Sequence, residues 1–298
     1  MLDCLLTRRR LRQFRWLDRP VIGALAVAGA AASLAAVAGY AFQVEPAWLD
    51  VVRVDIPVPG LPRELDGLVI AQLSDFHVQD RLRPDDAAVQ AVAVCNAVRP
   101  DVVVLTGDYV ISRRVLPYFT DLLKELKARP IIAVLGNHDY RHGPRHRRAL
   151  IDAFAELDIT LLQNQSIGLK LHGGKLWFVG VGDGYTSHDQ IDHATRELGD
   201  ADFPRILLTH YPDVLPDYPR GEFALALAGH THGAQINLPI VSRAALARSD
   251  THFSHGLYWI NETPLYVNRG LGMSGYQVRL FARPELTLLT LRGTPRRS

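Results

Sequence analysis

Five apolar runs in this chain each end in side chains able to hold a metal ion or move a proton. Leu68–Leu73 runs into Ser74-Asp75-Phe76-His77, Val102–Leu105 leads to Gly107-Asp108, and Ile131–Leu135 leads to Gly136-Asn137-His138-Asp139. Ile206–Thr209 closes on His210, and Phe223–Ala228 on Gly229-His230-Thr231-His232. Carboxylate, imidazole and amide oxygen together suit Mn, Fe, Zn or Mg rather than a thiolate-bound ion. Asp75 and His77 are two residues apart, as are His230 and His232, so extended backbone would turn each pair to one side. Gly107, Gly136 and Gly229 would let backbone approach the ions closely. Singly, these residues have ordinary readings: Asp75 as a turn cap, Asp108 as a loop closer, His210 as a satisfied, partly buried histidine. Those readings do not account for five such endings in one chain.

The runs fit strands buried on both faces, where apolar residues follow one another without alternation. Between them lie amphipathic stretches expected to be helical: Pro84–Val98, Leu116–Lys127, Arg145–Leu157 and the polar Gln190–Leu198. Further strands are expected at Asp50–Val58 and Leu176–Val181, with hairpins from Leu257–Asn261 with Leu265–Asn268 and from Tyr276–Phe281 with Glu285–Leu291. The fold class is therefore α/β: two packed, mixed β-sheets flanked by helices. In open α/β sheets, the loops after the carboxyl ends of strands converge on the ligand site. Cys95 falls on the apolar face of a predicted helix, and two cysteines make no disulfide framework.

Residues 1–19 carry six arginines against Asp3 and Asp18, a net of about +4, so the remainder of a +2 chain is near −2. A slightly acidic body argues against a broad surface for long nucleic acids. Residues 20–44 are uncharged and rich in Ala, Val, Leu and Gly, long enough to cross a bilayer core of about 30 Å. The reading is a basic cytoplasmic N-terminus (1–19), a single transmembrane anchor (20–44) and one domain (50–292) on the outer side of the cytoplasmic membrane. A rival is an export signal. Thr7-Arg8-Arg9-Arg10-Leu11 has a twin-arginine character, and Ala36-Val37-Ala38 satisfies a small-x-small cleavage rule.

Asp-x-His, Gly-Asp, Gly-Asn-His-Asp, His and Gly-His-Thr-His, in this order from Asp75 to His232, resemble the calcineurin-like metallophosphoesterase superfamily. The basic N-terminus, the single apolar segment, Gly270-Leu271-Gly272 and Ala282-Arg283-Pro284-Glu285 look most like its bacterial membrane-associated branch. The resemblance implies a hydrolase with two divalent ions: Asp75, His77 and His232 on one, Asn137, His210 and His230 on the other, and Asp108 bridging. A bridging carboxylate would offer both oxygens. His138 would face the substrate, oriented by Asp139. A metal pair about 3.5–4 Å apart would neutralise phosphoryl oxygens and lower the pKa of a water for in-line attack.

The function implied is hydrolysis of a phosphoester or pyrophosphate, with an envelope lipid or nucleotide-linked substrate suggested by the anchor. A non-catalytic metal-binding scaffold and a nucleotide phosphatase or nuclease are the alternatives. The complete ligand set, with His138 present, weighs against the scaffold. Tyr140, Arg141, His142 and the loop Asn237–Phe253 with Arg243 and Arg248 are candidates for the substrate side. His142, His146, His172, His188, His193, His252 and His255 fall outside the pattern and read as surface or loop histidines.

Overall fold

The computed structural model describes residues 19–83, 86–196, 198 and 203–295, and the chain divides into two units at Tyr40/Ala41. The first unit holds helix α1 (Arg19–Gly39). Among the described residues, Val21–Ala47 is the one helical stretch long and apolar enough, by length and composition, to cross a membrane. The arginines before Arg19, Cys4, and Pro84 lie outside the described residues.

The second unit contains two six-stranded sheets. The first is built from β1 (Asp50–Pro59), β2 (Val69–Leu73), β3 (Val102–Thr106), β4 (Ile131–Val134), β5 (Thr160–Leu161) and a long C-terminal strand, β12 (Glu285–Thr294). Its order is β1-β12-β2-β3-β4-β5, and only the β12–β2 pairing is antiparallel. The second takes β6 (Gln165–Leu171), β7 (Gly174–Gly180), β8 (Arg205–Leu208), β9 (Leu225–Ala228), β10 (Gly256–Ile260) and β11 (Thr263–Val267). Its order is β10-β11-β9-β8-β7-β6, with antiparallel hairpins at both edges.

The period-two geometry of a strand sorts one apolar run into two cores. Val102 and Val104 belong to the layer between the sheets, with Ile70, Ile132, Phe178, Ile206 and Leu227. Val103 and Leu105 pack with Ala91 and Cys95 of α2 (Ala87–Val98), Phe119 of α3 (Leu116–Glu125) and, beyond the short α4 (Asn137–Arg141), Phe154 of α5 (Pro144–Glu156). Each fully buried Val or Leu contributes about 1.5–3 kcal/mol. That is why a continuous apolar run, not an alternating one, marks these strands.

Several elements differ from the sequence expectation, the two-residue β5 among them. Tyr276–Phe281 is not a strand. Its backbone bonds are split between two neighbours, Arg279 N donating to Ala41 O and Leu280 N to Gln235 O, so no ladder forms with β12. Strand β6, mostly half-buried, was not anticipated and pairs along its whole length with β7. The polar helix expected at Gln190–Leu198 is the shorter α6 (Ile191–Thr195), and the expected loop Asn237–Phe253 contains helix α7 (Pro239–Arg248), with Pro239 at its first position, where proline is well tolerated.

Candidate metal centre and active site

The loops after β2, β3, β4, β8 and β9 meet at one end of the sandwich. Backbone bonds tie them: Asp75 N donates to Gly107 O and His77 N to Asp108 O, while Gly229 N donates to His210 O. Below them the buried Gln72 amide donates to Thr106 Oγ1 of the first sheet and Ala228 O of the second.

All seven proposed ligands come together there. His77 Nε2 lies 3.1 Å from His232 Nε2, and Asp75 Oδ1 is 3.3 Å from the latter. Asn137 Oδ1 is 3.1 Å from both His210 Nε2 and His230 Nδ1. Asp108 Oδ2 stands between the two groups, 3.3 Å from His77 Nε2 and 3.3 Å from His210 Nε2. Donor atoms bound at about 2.1 Å around one ion sit about 3 Å apart, so the spacing fits a metal pair.

The donor chemistry makes the same case. His210 Nδ1 donates to Thr106 O at 2.7 Å, leaving Nε2 as the lone-pair nitrogen of a neutral ring. That nitrogen faces Asn137 Oδ1 and Asp108 Oδ2, both acceptors. Three acceptors converging without a donor require a cation, either a proton or a metal. Without a metal the proton takes the place: burial pushes His210 down, but Asp108 and Asp75 outweigh it and hold the ring well above the usual histidine range. Burial raises Asp108, yet the His210 charge carries it well below the carboxylate range. Burial lowers His230 to about 3 and also lowers His232, keeping both neutral as ligands must be. Two divalent ions therefore fit the residues present.

The backbone works differently from the extended-strand expectation. Asp75, His77, Asp108, His230 and His232 all have positive φ, between 42° and 76°. Each such non-glycine residue stores about 1–3 kcal/mol, a strain that concentrates at functional sites. The pairs thus share a site through left-handed turns, not through strand alternation. The glycines also act otherwise. A Cβ on Gly136 would fall on Asp108 Oδ1, and one on Gly229 on Ser74 Oγ and Asp75 Oδ2, so they make room for ligand carboxylates.

Two roles assigned from the motif change. Asp108 does not offer both oxygens: Oδ1 accepts the His138 N–H at 2.9 Å, and Oδ2 alone faces both halves of the cluster. Asp139 was expected to orient His138, but its buried carboxylate takes backbone amides instead. Gly136 N and Asp108 N donate to Oδ2 at 2.8 and 2.9 Å, and Tyr109 N donates to Oδ1 at 3.2 Å. Burial first, and the Asp108 charge next, raise this carboxyl to about 7. The His138 ring stands edge-on to His77, with Nε2 4.0 Å from Asp108 Oδ2 and 3.4 Å from Ser274 Oγ. Its burial lowers it to about 4.

A cavity of about 480 Å³ opens over Asp108, Asn137, His138, His230 and His232. Of the substrate-side candidates, Arg141 and Arg248 line it; Tyr140 instead stacks on His188 at 4.1 Å. His146, expected at the surface, is buried on α5 beside His142, and burial lowers it to about 4. Sequence reasoning missed Tyr185 and Ser274 on the cavity wall, and Arg279 behind it. Arg279 is fully buried, donating from Nη2 to the carbonyls of Arg269, Gly270 and Gly272 and from Nη1 to Ala282 O. Gly272 N in turn donates to Asp75 O at 2.7 Å, and the buried Glu45 accepts from Ala282 N. No local spacing signals that network, because its outer bonds join distant parts of the chain, Glu45 to Ala282 and Gly272 to Asp75.

A fold of two mixed sheets with this cluster at their loop ends defines a dinuclear-type phosphoesterase site. The pattern of the calcineurin-like phosphoesterases matches residues 68–234, and the chain belongs to that family. It is a metallophosphoesterase, a hydrolase, as the motif resemblance implied. The uncharacterized metallophosphoesterase YkuE of Bacillus subtilis is 32% identical, covering 86% of this chain and 90% of that one. Phosphodiesterase YaeI of Escherichia coli is 31% identical over 85% and 92%. The UDP-2,3-diacylglucosamine pyrophosphatase LpxG of Chlamydia muridarum is 28% identical over 84% and 91%.

Proposed function

We propose that this chain hydrolyses a phosphodiester or pyrophosphate at a two-metal site, on a lipid- or nucleotide-linked substrate, from a catalytic unit held outside the cytoplasmic membrane by α1. One observation carries the hydrolytic reading: Asp108 Oδ2 is equidistant, at 3.3 Å, from one imidazole of each half of the cluster. Asp75, His77 and His232 would hold one ion and Asn137, His210 and His230 the other, with Asp108 shared through a single oxygen. When bound, the two ions supply charge neutralisation for the phosphoryl group and a water of lowered pKa. His138, on the cavity wall and neutral through burial, offers its ring N–H as a hydrogen bond to the departing oxygen. Arg141 and Arg248 offer fork-shaped donors to phosphate oxygens around the same mouth. The names of YaeI and LpxG support a diester or pyrophosphate bond, and α1 supports a substrate found at a membrane.

The test is turnover by the purified full chain, loaded with Mn, Fe, Zn or Mg in turn. Phosphomonoesters, phosphodiesters, nucleotides and nucleotide-linked lipids form the panel. Metal-dependent cleavage of a diester or pyrophosphate is expected. A protein that binds two ions yet cleaves nothing in the panel would overturn the reading.

A further inference from the structure

Three segments distant in sequence, 41–48, 235–248 and 276–283, form one continuous face. Arg279 N donates to Ala41 O and Ala282 N to Glu45 Oε1, while Asn237 N donates to Leu280 O and the Gln235 amide to Tyr276 O. On this face stand Ile240 at 86% exposure, Tyr276 at 84%, Phe281 at 63% and Phe42 at 58%. Large apolar side chains gathered this way on a protein surface mark an interaction site.

What covers the face follows from its charge and from where the chain enters it. Glu45 is the only carboxylate in the three segments, and it is buried, whereas Arg243 and Arg248 are exposed; Arg283 lies over the Trp48 ring at 4.9 Å and pairs with Asp50 at 3.3 Å. Apolar side chains with arginines and no exposed acid suit the headgroup layer of an anionic bilayer. The face also begins at Ala41, two residues beyond the end of α1, and its first segment overlaps the apolar Val21–Ala47 stretch, so it is continuous in the chain with the anchor. It borders the site as well: Val241, Arg248 and Tyr276 line the metal cavity. A second cleft of about 1150 Å³ is lined by Phe42 and Pro46 as well as His77.

We propose that this face docks on the bilayer and holds the mouth of the metal site at the headgroup layer, so that the phosphate ester it receives belongs to a membrane lipid. The proposal rests on α1 being a bilayer-spanning anchor. It adds a second, interfacial contact made by the catalytic unit itself.

The experiment uses the full chain with Cys4→Ser, since Cys95 is buried, reconstituted into vesicles of phosphatidylcholine and phosphatidylglycerol. An environment-sensitive fluorophore is placed by Ile240→Cys, by Phe281→Cys or, as a control on strand β6, by exposed Lys170→Cys. Brominated lipids should blue-shift and quench the labels at 240 and 281 and leave 170 unchanged. Equal signals at all three positions would overturn the proposal. So would unquenched rim labels combined with an oxidative disulfide between copies of the unlabelled Ile240→Cys or Phe281→Cys protein, which assigns the face to self-association. Failure of the protein to float with vesicles would remove the anchor and the proposal with it. Turnover of bis(p-nitrophenyl) phosphate by the same proteins reports the phosphoesterase reading separately.

Discussion

Asp139 gives the sharpest test of how the site is held. Its carboxylate is the common acceptor for three buried amides, those of Gly136, Asp108 and Tyr109. Asp139→Ala leaves all three donors unpaired, and each buried donor without a partner costs about 1–3 kcal/mol. Water entering the vacated space satisfies some of them, and the native carboxylate, raised to about 7, already bears a burial cost. The expected loss is therefore near the low end of the sum, about 3–5 kcal/mol, a large part of a domain's stability. Asp139→Asn keeps one acceptor oxygen but turns an amide N–H₂ toward a backbone donor, so its loss should be smaller, about 1–2 kcal/mol. Urea unfolding in chelator reads this loss apart from metal binding, and metal titration then reads the displaced Asp108 loop as weaker affinity. The reasoning is refuted if Asp139→Ala unfolds with wild-type midpoint and slope. Should Asp139→Asn also change only the pH–rate profile, the residue orients the His138 ring after all.

Other perturbations separate the remaining roles. Asp108→Ala should lose both ions, because one oxygen serves both halves, whereas His77→Ala should weaken mainly one; metal analysis decides, and two ions retained by Asp108→Ala would reject the shared-oxygen assignment. His138→Ala should keep both ions and lose about 10²–10³-fold on an alkyl diester but less on a nitrophenyl ester, whose leaving group is a stable anion that needs less hydrogen bonding. Equal losses would instead make His138 a positioning group for the phosphoryl oxygens. Gly229→Ala should weaken metal binding, since its Cβ would fall on Ser74 Oγ and Asp75 Oδ2; unchanged affinity would show that the loop yields freely.

The five strand ends were legible because strands buried on both faces cannot alternate, and their polar ends stand out against continuous apolar runs. How the paired residues reach one point was not legible. Positive φ at Asp75, His77, His230 and His232 is enforced by bonds from other loops, such as Gly107 O receiving Asp75 N, and no residue pattern announces it for aspartate or histidine. Helix α7 was hidden because its apolar residues are partly exposed: Ile240 does not mark a buried face. Tyr276–Phe281 looked like a strand because its composition suits one, yet Arg279 within it is a buried clamp on four carbonyls of the surrounding loop, those of Arg269, Gly270, Gly272 and Ala282.

That clamp decides where the polypeptide can be cut. Glu45 holds Ala282, Arg279 holds the carbonyls of Gly270 and Gly272, and Gly272 holds Asp75, so the residues before β1 form one end of a chain of bonds that reaches a proposed metal ligand. Trimming to Asp50, where the sequence suggests a clean start, would remove the first link and slacken the last. Scission between Ala38 and Ala41, whether by a peptidase or by an expression scientist, would leave every link in place. A freed catalytic unit of the second kind should keep its metals, and one of the first kind should bind them more weakly.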